Sequence, residues 1–450
     1  MRRVALIAVA AVAACTLAGA WWVATTPPVP RHVIILSMDT TRADVLGAYG
    51  NPRAHTPHLD ALAAEAVLFE HHYSAAPTTL ASHTALMTGD HPHTHGVPRN
   101  DYKVNERNVM LQEILHDHGF TTAAFLGAMP LASHSNFTQG FDHVDETFTL
   151  HRATDGTGQS ERPGDEVAKA VLDWLDAHPP GPDDRYLLFV HMFDAHAPYR
   201  PDPEELALYH PDPAIEDAGS VDHIERVQRM FAKKDPRAAA HAETLKELYL
   251  AGVATLDKHV GQLLDGLASR GTLDDALLIV TADHGETWDT HRERFDHGET
   301  VYDETIHTPL LVRFPGAWDA GDRVDAAVSN TDVAPTILAL LGFDAPPTDG
   351  VSFAGALRWP LWDRGLPVFA EGTKPHLGDQ QGWQNDPMEK AIIDADEKLI
   401  LLPRSDRTEL YDLADDPEEL HNLRKERGVA ALAEQLDAWR RGAHPLPSPR

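Results

Sequence analysis

ALLIVTADHGET, residues 276–287, is the stretch from which the rest of the chain can be read. Ala276 to Thr281 is a short apolar run with β-branched residues and reads as a strand. Asp283 and His284 follow it almost at once. Ligands of open α/β sheets bind beyond the carboxyl ends of the strands, which is where this Asp–His pair would stand. Two other runs end in the same way. His32 to Ser37 (HVIILS) leads to Met38 and Asp39, and Tyr186 to His191 (YLLFVH) leads into FDAHAPY (193–199), which carries Asp194 and His196. One aspartate after a strand is ordinarily a helix cap. Three strand ends, two of them bearing both Asp and His, point instead to a metal site assembled from distant segments.

Helical periodicity separates these runs, as an α/β fold requires. It covers Leu59 to Phe69, Val109 to His118, Asp165 to Ala177, the long Ala238 to Ser269, and Asp332 to Leu341, with Gly119 and Gly342 as stops. Thr121 to Leu126 and Thr308 to Phe314 read as further strands. The pattern changes after Leu366. Lys390 to Asp394, Lys398 to Pro403 and Glu409 to Leu413 are short strands between turn signals, and Val429 to Arg441 closes as a helix. The expected organisation is an N-terminal segment and linker over 1–30, a catalytic body over 31–365, and a small C-terminal α+β subdomain over 366–450. The polar loop 372–387 reads as a connection.

With 450 residues and 42% hydrophobic composition, the chain can build a sizeable core. A formal net charge of −31 argues against a nucleic-acid partner, since neutralising phosphates needs a basic surface. It leaves an anionic substrate open, because a bound metal reverses the local field. Cys15 is the single cysteine, which removes a thiolate metal cluster, an intramolecular disulfide and a cysteine nucleophile from the expectations for the body. Arg2 and Arg3 precede an uncharged apolar run from Val4 to Ala24 and the stiff TTPPVPR. The run reads as a membrane signal anchor, as a signal peptide cleaved after Ala18-Gly19-Ala20, or as a lipoprotein signal ending in Val12-Ala13-Ala14-Cys15. Each reading leaves the body outside the cytoplasm.

SAAPTTLASHTALMTGD (74–90) adds a helix beside these strand ends, beginning at Thr78 or Thr79 and stopped by Gly89. A helix N-terminus presents free N–H groups and positive dipole, which favour an anion or an alkoxide. A threonine there can be a cap or, if a divalent ion lowers its pKa, a nucleophile.

Taken in order, MDTTRADVLGAYG (38–50), TPHLDALAAEAVLFEHHY (56–73), TTLASHTALMTG (78–89), FDAHAPY (193–199), TADHGE (281–286), HGETVYDETIHTPLLVRFPG (297–316), TDVAPTILALLG (331–342) and ELYDLADDPEELHNL (409–423) resemble a sulfatase-like member of the alkaline phosphatase superfamily. The resemblance implies a mixed α/β sheet flanked by helices with a small C-terminal antiparallel sheet. It implies metal ligation by Asp39, Thr79, Asp283 and His284. It also implies a leaving-group acid or sulfate contact at His196 and an anion contact at His297, with His291 as the alternative. A second metal at Asp194, His196 and His297 is the less favoured arrangement, and His91, His93 and His95 are expected to be structural.

Several positions depart from the family pattern. Counting back from Met87-Thr88-Gly89 places Thr79 where sulfatases have the Cys or Ser that becomes formylglycine, Ala81 at the proline and His83 at the arginine. Thr40 stands where a second carboxylate is usual, and the segment 125–130 lacks the usual Lys and His. These departures lead to the expectation of a Thr-nucleophile branch. Its members would hydrolyse sulfate or phosphate esters through an unmodified Thr79 and a covalent threonine ester, without formylglycine. One divalent ion is expected, manganese or zinc before calcium. The alternatives are a membrane-anchored phospho-group transferase acting on lipid or envelope glycan, and a non-catalytic binding protein.

Overall fold

The computed structural model describes residues 29–151, 160–315, 320–357, 365–372 and 388–442. The N-terminal anchor or signal reading and most of the 372–387 loop lie outside them. No helix among the described residues is long and apolar enough to cross a membrane.

The body is built on an eight-stranded sheet. In chain order its strands are β1 (His32–Met38), β2 (Val67–Phe69), β3 (Phe120–Phe125), β4 (His143–Asp145), β5 (Arg185–Met192), β6 (Ala276–Thr281), β7 (Leu310–Arg313) and β8 (Arg323–Val324). Their spatial order is β8-β2-β7-β6-β1-β5-β3-β4. β1 lies between β5 and β6, parallel to both, and β7 runs antiparallel to β6 and β2. The three strand ends singled out above are therefore adjacent, and their polar residues emerge on one edge.

All seven residues of β1 are buried, because helices cover both faces of the sheet. Ile34, Leu36 and Met38 pack with α1 (Pro57–Ala63) and the helices Gly164–Ala177 and Ala238–Ser269. Val33 and Ile35 pack on the other side with α2 (Thr79–Thr88) and the helix Val333–Leu341. The alternation is the period-two signature of a strand. Truncating Ile34, Ile35, Leu36 or Met38 to alanine should cost about 2–5 kcal/mol in urea-unfolding measurements.

The helix expected over Leu59 to Phe69 divides in two. It ends at Ala63, and Val67 to Phe69 becomes β2, paired antiparallel with β7. Strand pairing here overrides a local periodicity that fits either state. The small sheet holds β9 (Val368–Glu371), β10 (Lys390–Asp394), β11 (Glu397–Leu402) and β12 (Arg407–Asp412), all antiparallel neighbours. β9 was not read from the sequence. Ala391 and Ile393 face Tyr73, Val301 and Ile306 of the body, whereas Ile392 and Leu410 face Leu432 and Leu436 of the helix Ala430–Gly442.

Buried histidines tie this fold to pH. His32 accepts the Tyr186 N–H on Nδ1, and burial, with the nearby Arg31 charge, lowers its pKa to about 4. His72 and His95 are held at about 3, mainly by burial. Their folded pKa values lie below the unfolded value, so the unfolded chain binds more protons as the pH drops. The stability they contribute is whole above about pH 6.5 and is lost as pH falls toward 4, by up to about 1.4 kcal/mol per group per pH unit. Urea-unfolding midpoints should therefore decline steadily from pH 7 to pH 5. An unchanged midpoint over that interval would contradict the account.

Candidate active site

Asp39 leaves the end of β1 with a backbone N–H bond to the Met192 carbonyl of β5. Its side chain is fully buried beside Asp283 and His284, and ligand atoms of the three lie within 4.8 Å of one another. The residues around them satisfy some oxygens and leave others open. His191 Nε2 donates to Asp39 Oδ2 at 2.9 Å, and the Thr40 hydroxyl donates to Asp39 Oδ1 at 2.5 Å. Asp283 Oδ1 accepts the backbone N–H groups of Thr40 and His284. Thr40 performs both tasks with φ at 58°, a strained conformation for a β-branched residue and one that concentrates at functional sites.

The remaining atoms fit a cation. His284 Nδ1 donates to the Gly285 carbonyl at 2.8 Å, so its Nε2 carries a lone pair. Neither that Nε2 nor Asp283 Oδ2 has a hydrogen-bond partner, both are buried, and they are 3.3 Å apart. Electrostatics agree. Burial opposes the Asp39 charge, but the His191 bond and the neighbouring imidazoles hold its carboxyl well below the usual range. Burial and the Asp39 charge push Asp283 well above it. Burial, then His297, lowers His284. Two adjacent buried carboxylates and a neutral imidazole are a donor set that a divalent ion would stabilise.

α2 presents its N-terminus to this centre. Ser82 Oγ donates to the Asp283 carbonyl at 2.6 Å, and Gly89 ends the helix at φ 78°. Thr78 occupies the N-cap position with extended backbone, but its side chain makes no capping bond. Thr79 is the first helical residue; its hydroxyl is buried and has no hydrogen-bond partner. His83 is wholly buried, its Nδ1 bonding the Thr79 carbonyl and its Nε2 accepting from Ser37 Oγ, each at 2.7 Å. Burial lowers its pKa to about 3, so the ring is neutral and does not reproduce the charge of the arginine implied at that position.

His196 and His297 stand beside the centre. Their rings are 5.2 Å apart, and the His297 ring lies 4.3 Å from His284. His196 Nδ1 donates to the Ala197 carbonyl at 2.5 Å. Asp194 turns the other way, to His259 Nδ1 at 3.0 Å and the Gly164 N–H at 2.9 Å, and among the described residues it joins no group of three that could hold a metal ion. His291 stacks on Tyr302 at 3.7 Å, while His93 pairs with Glu371 and both His91 and His93 pack against Trp439. A surface trio of Glu70, His71 and Asp325 also brings ligand atoms together, with Glu70 already paired to Arg323. His191 escaped the sequence reading because it sits inside an apolar strand. Only the strand register, which sets it opposite Ser37 beside Asp39, reveals its role.

Comparison with known proteins gives the family. The model described as "Sulfatase" matches residues 31–343. This chain belongs to the sulfatase family. The model for the C-terminal part of N-sulphoglucosamine sulphohydrolase matches residues 291–441. Similar sulfatases include the ulvan-active sulfatase of Formosa agariphila, 24% identical and covering 91% of this chain and 80% of the relative. The N-acetylglucosamine-6-O-sulfatase of Bacteroides thetaiotaomicron is 24% identical over 87% of this chain and 82% of its own. Human arylsulfatase A is 28% identical over 88% and 83%. In fold, a protein solved with its substrate D-glucosamine-2-N,6-O-disulfate matches at TM-score 0.72 and 20% identity, covering 92% of this chain and 97% of that one. The phosphonate monoester hydrolase of Agrobacterium radiobacter matches at 0.71 and 21%, over 92% and 96%.

As a sulfatase the chain is a sulfuric ester hydrolase, and the expected function is corrected accordingly. The Thr-nucleophile branch, with its unmodified Thr79 alkoxide and covalent threonine ester, does not stand, since the family and its named members are sulfatases. The phosphate-ester, phospho-group transferase and non-catalytic alternatives fall with it.

His191 and the three ligand-type residues can be separated by titration calorimetry with manganese or zinc. Asp283→Asn and His284→Ala should abolish tight binding. His191→Phe, which removes only the donor behind Asp39, should weaken it about 10- to 100-fold.

Proposed function

We propose that this sulfatase hydrolyses sulfate esters of a carbohydrate at the Asp39–Asp283–His284 centre. The observation that carries the reading is the convergence there of two carboxylates, an unprotonated imidazole nitrogen and two further imidazoles, His196 and His297. The carbohydrate class is supported by relatives named for ulvan and for N-acetylglucosamine, and by a fold neighbour solved with a glucosamine disulfate.

Asp39, Asp283 and His284 would hold one divalent ion, and an imidazole beside two carboxylates favours manganese or zinc over calcium. When bound, the ion draws charge from the sulfate oxygens and makes the sulfur more electrophilic. His297 is read as the donor that holds a sulfate oxygen, its ring standing over His284. His196 is read as the acid. Its Nδ1–H is committed to the Ala197 carbonyl, so the protonated ring hands its Nε2 proton to the departing alcohol oxygen as water adds to sulfur and the ester S–O bond breaks, leaving sulfate and the free alcohol. His83 orients: the Thr79 carbonyl and the Ser37 hydroxyl lock its tautomer and tie the first turn of α2 to β1.

The proposed cofactor set has no formylglycine. Oxidising the secondary alcohol of Thr79 would yield a ketone, and Cys15 is the single cysteine. Mass spectrometry of the peptide spanning residue 79 should give the unmodified threonine mass; a mass loss there would reject this part. The location proposed is outside the cytoplasm, supported by the apolar run Val4 to Ala24 and checked by cell fractionation.

The leaving group provides the decisive test. His196→Ala should lower kcat by about 100- to 10,000-fold for a sugar sulfate, whose alkoxide must be protonated. It should cost far less for an aryl sulfate with an acidic phenol. Equal losses on the two substrates would refute the acid role. Matched phosphate esters should turn over more slowly than sulfate esters, and a phosphate preference would refute the proposed substrate class.

A further inference from the structure

Glu286 is a buried carboxylate that the reaction described above does not use. It is 1% exposed, and among the described residues no arginine or lysine pairs with its carboxylate. Among the described residues its polar contacts are few. Tyr199 donates its hydroxyl to Oε2 at 3.5 Å, and His297 Nδ1 lies 3.5 Å from Oε1. Arg42 is close but serves other groups: its guanidinium bonds the Glu286 backbone carbonyl at 3.1 Å and pairs with Asp44 and Glu304. A buried carboxyl group with so few partners needs a reason for its place.

The backbone gives Glu286 little freedom. Gly285, just before it, packs so closely that an added Cβ would lie 2.2 Å from the Glu304 carbonyl. Its N–H bonds the Thr305 carbonyl at 2.8 Å. The Glu286 side chain thus projects from a pinned segment that also carries His284, and it meets His297 arriving on a separate loop.

We propose that Glu286 is a positioning residue for His297. Its Oε1 faces His297 Nδ1 at 3.5 Å and takes the Nδ1–H of the protonated ring when substrate binds, which fixes the ring's rotation and leaves its second N–H, on Nε2, for the sulfate oxygen beside Asp39, Asp283 and His284. A carboxylate behind an imidazole is the arrangement by which proteins orient a working histidine. Tyr199 holds the other carboxylate oxygen, so the chain of contacts runs Tyr199–Glu286–His297 to the reacting sulfate. The inference rests on the proposed role of His297 as a sulfate contact.

Two experiments test it. Steady-state kinetics on a sulfate ester should show Glu286→Ala lowering kcat/KM about 10- to 100-fold. Glu286→Gln, which keeps an acceptor oxygen facing Nδ1, should recover most of that loss. In a His297→Ala background, Glu286→Ala should add little further. Independent, additive losses would overturn the proposal. The second experiment needs no variant of Glu286. Ring nitrogen-15 shifts of His297 in the metal-loaded enzyme with inorganic sulfate bound, assigned by the signal missing in His297→Ala, should report protons on both Nδ1 and Nε2. An Nε2–H tautomer would overturn the proposal whatever the kinetics. The two readings fail separately, since wild-type activity in His297→Ala would remove the sulfate contact and leave the tautomer result to judge Glu286.

Discussion

The structure is organised around the repulsion between Asp39 and Asp283, two carboxylates buried side by side away from bulk solvent. Such a pair persists only if the surroundings supply donors and leave a place for a cation. Both are present. Asp39 takes bonds from His191 and the Thr40 hydroxyl, and Asp283 takes two backbone N–H groups. Asp283 Oδ2 and His284 Nε2 stay open toward each other. The fold makes this arrangement rigid. β1, β5 and β6 are parallel neighbours in the centre of the sheet, so their carboxyl ends, and the charged residues just beyond them, are held in register by ladder hydrogen bonds.

The C-terminal sheet extends that rigidity to the loop that carries His297. Tyr302 Oη donates to Glu409 Oε2 on β12 at 2.6 Å, and Lys398 on β11 reaches Asp303 and Glu419. Arg292 lies over the Tyr302 ring and pairs with Glu389. Burial holds Glu389 at about 7 against the favourable Arg292 charge. Charged groups this buried are costly to separate, so loop 285–302 is fixed at both ends: near Gly285 by the body and near Tyr302 by the small sheet. His291 is one of its packing contacts, stacked on Tyr302, and His297 is the residue that the loop delivers to the centre.

Much of this was legible in one dimension. The three strand ends announced themselves because a strand run and a polar terminus are local signals, as was the helix that starts at Thr79. The long helix Ala238–Ser269 kept its sequence-read bounds, since its periodicity persists over many turns. Other features escaped for identifiable reasons. β2 was absorbed into a helix because Val67 to Phe69 carries no turn signal and becomes a strand only beside β7. Thr40 looked like a lost ligand, whereas its backbone and hydroxyl brace both carboxylates. The departure at Thr79 was read as a change of chemistry, but the chain-wide match to sulfatases outweighs one position.

By itself the sequence determined which residues can ligate, which strands carry them and to which broad architecture they belong, because spacing and alternation are written locally. Only the tertiary structure decided what each histidine does. An imidazole has two nitrogens, and its role depends on what occupies each. His83 has both engaged, by Thr79 and Ser37, and His191 turns one to Asp39. His196 commits Nδ1 to a carbonyl, and His297 finds Glu286 behind it. Those partners lie up to 152 residues away along the chain, and only folding brings them within reach.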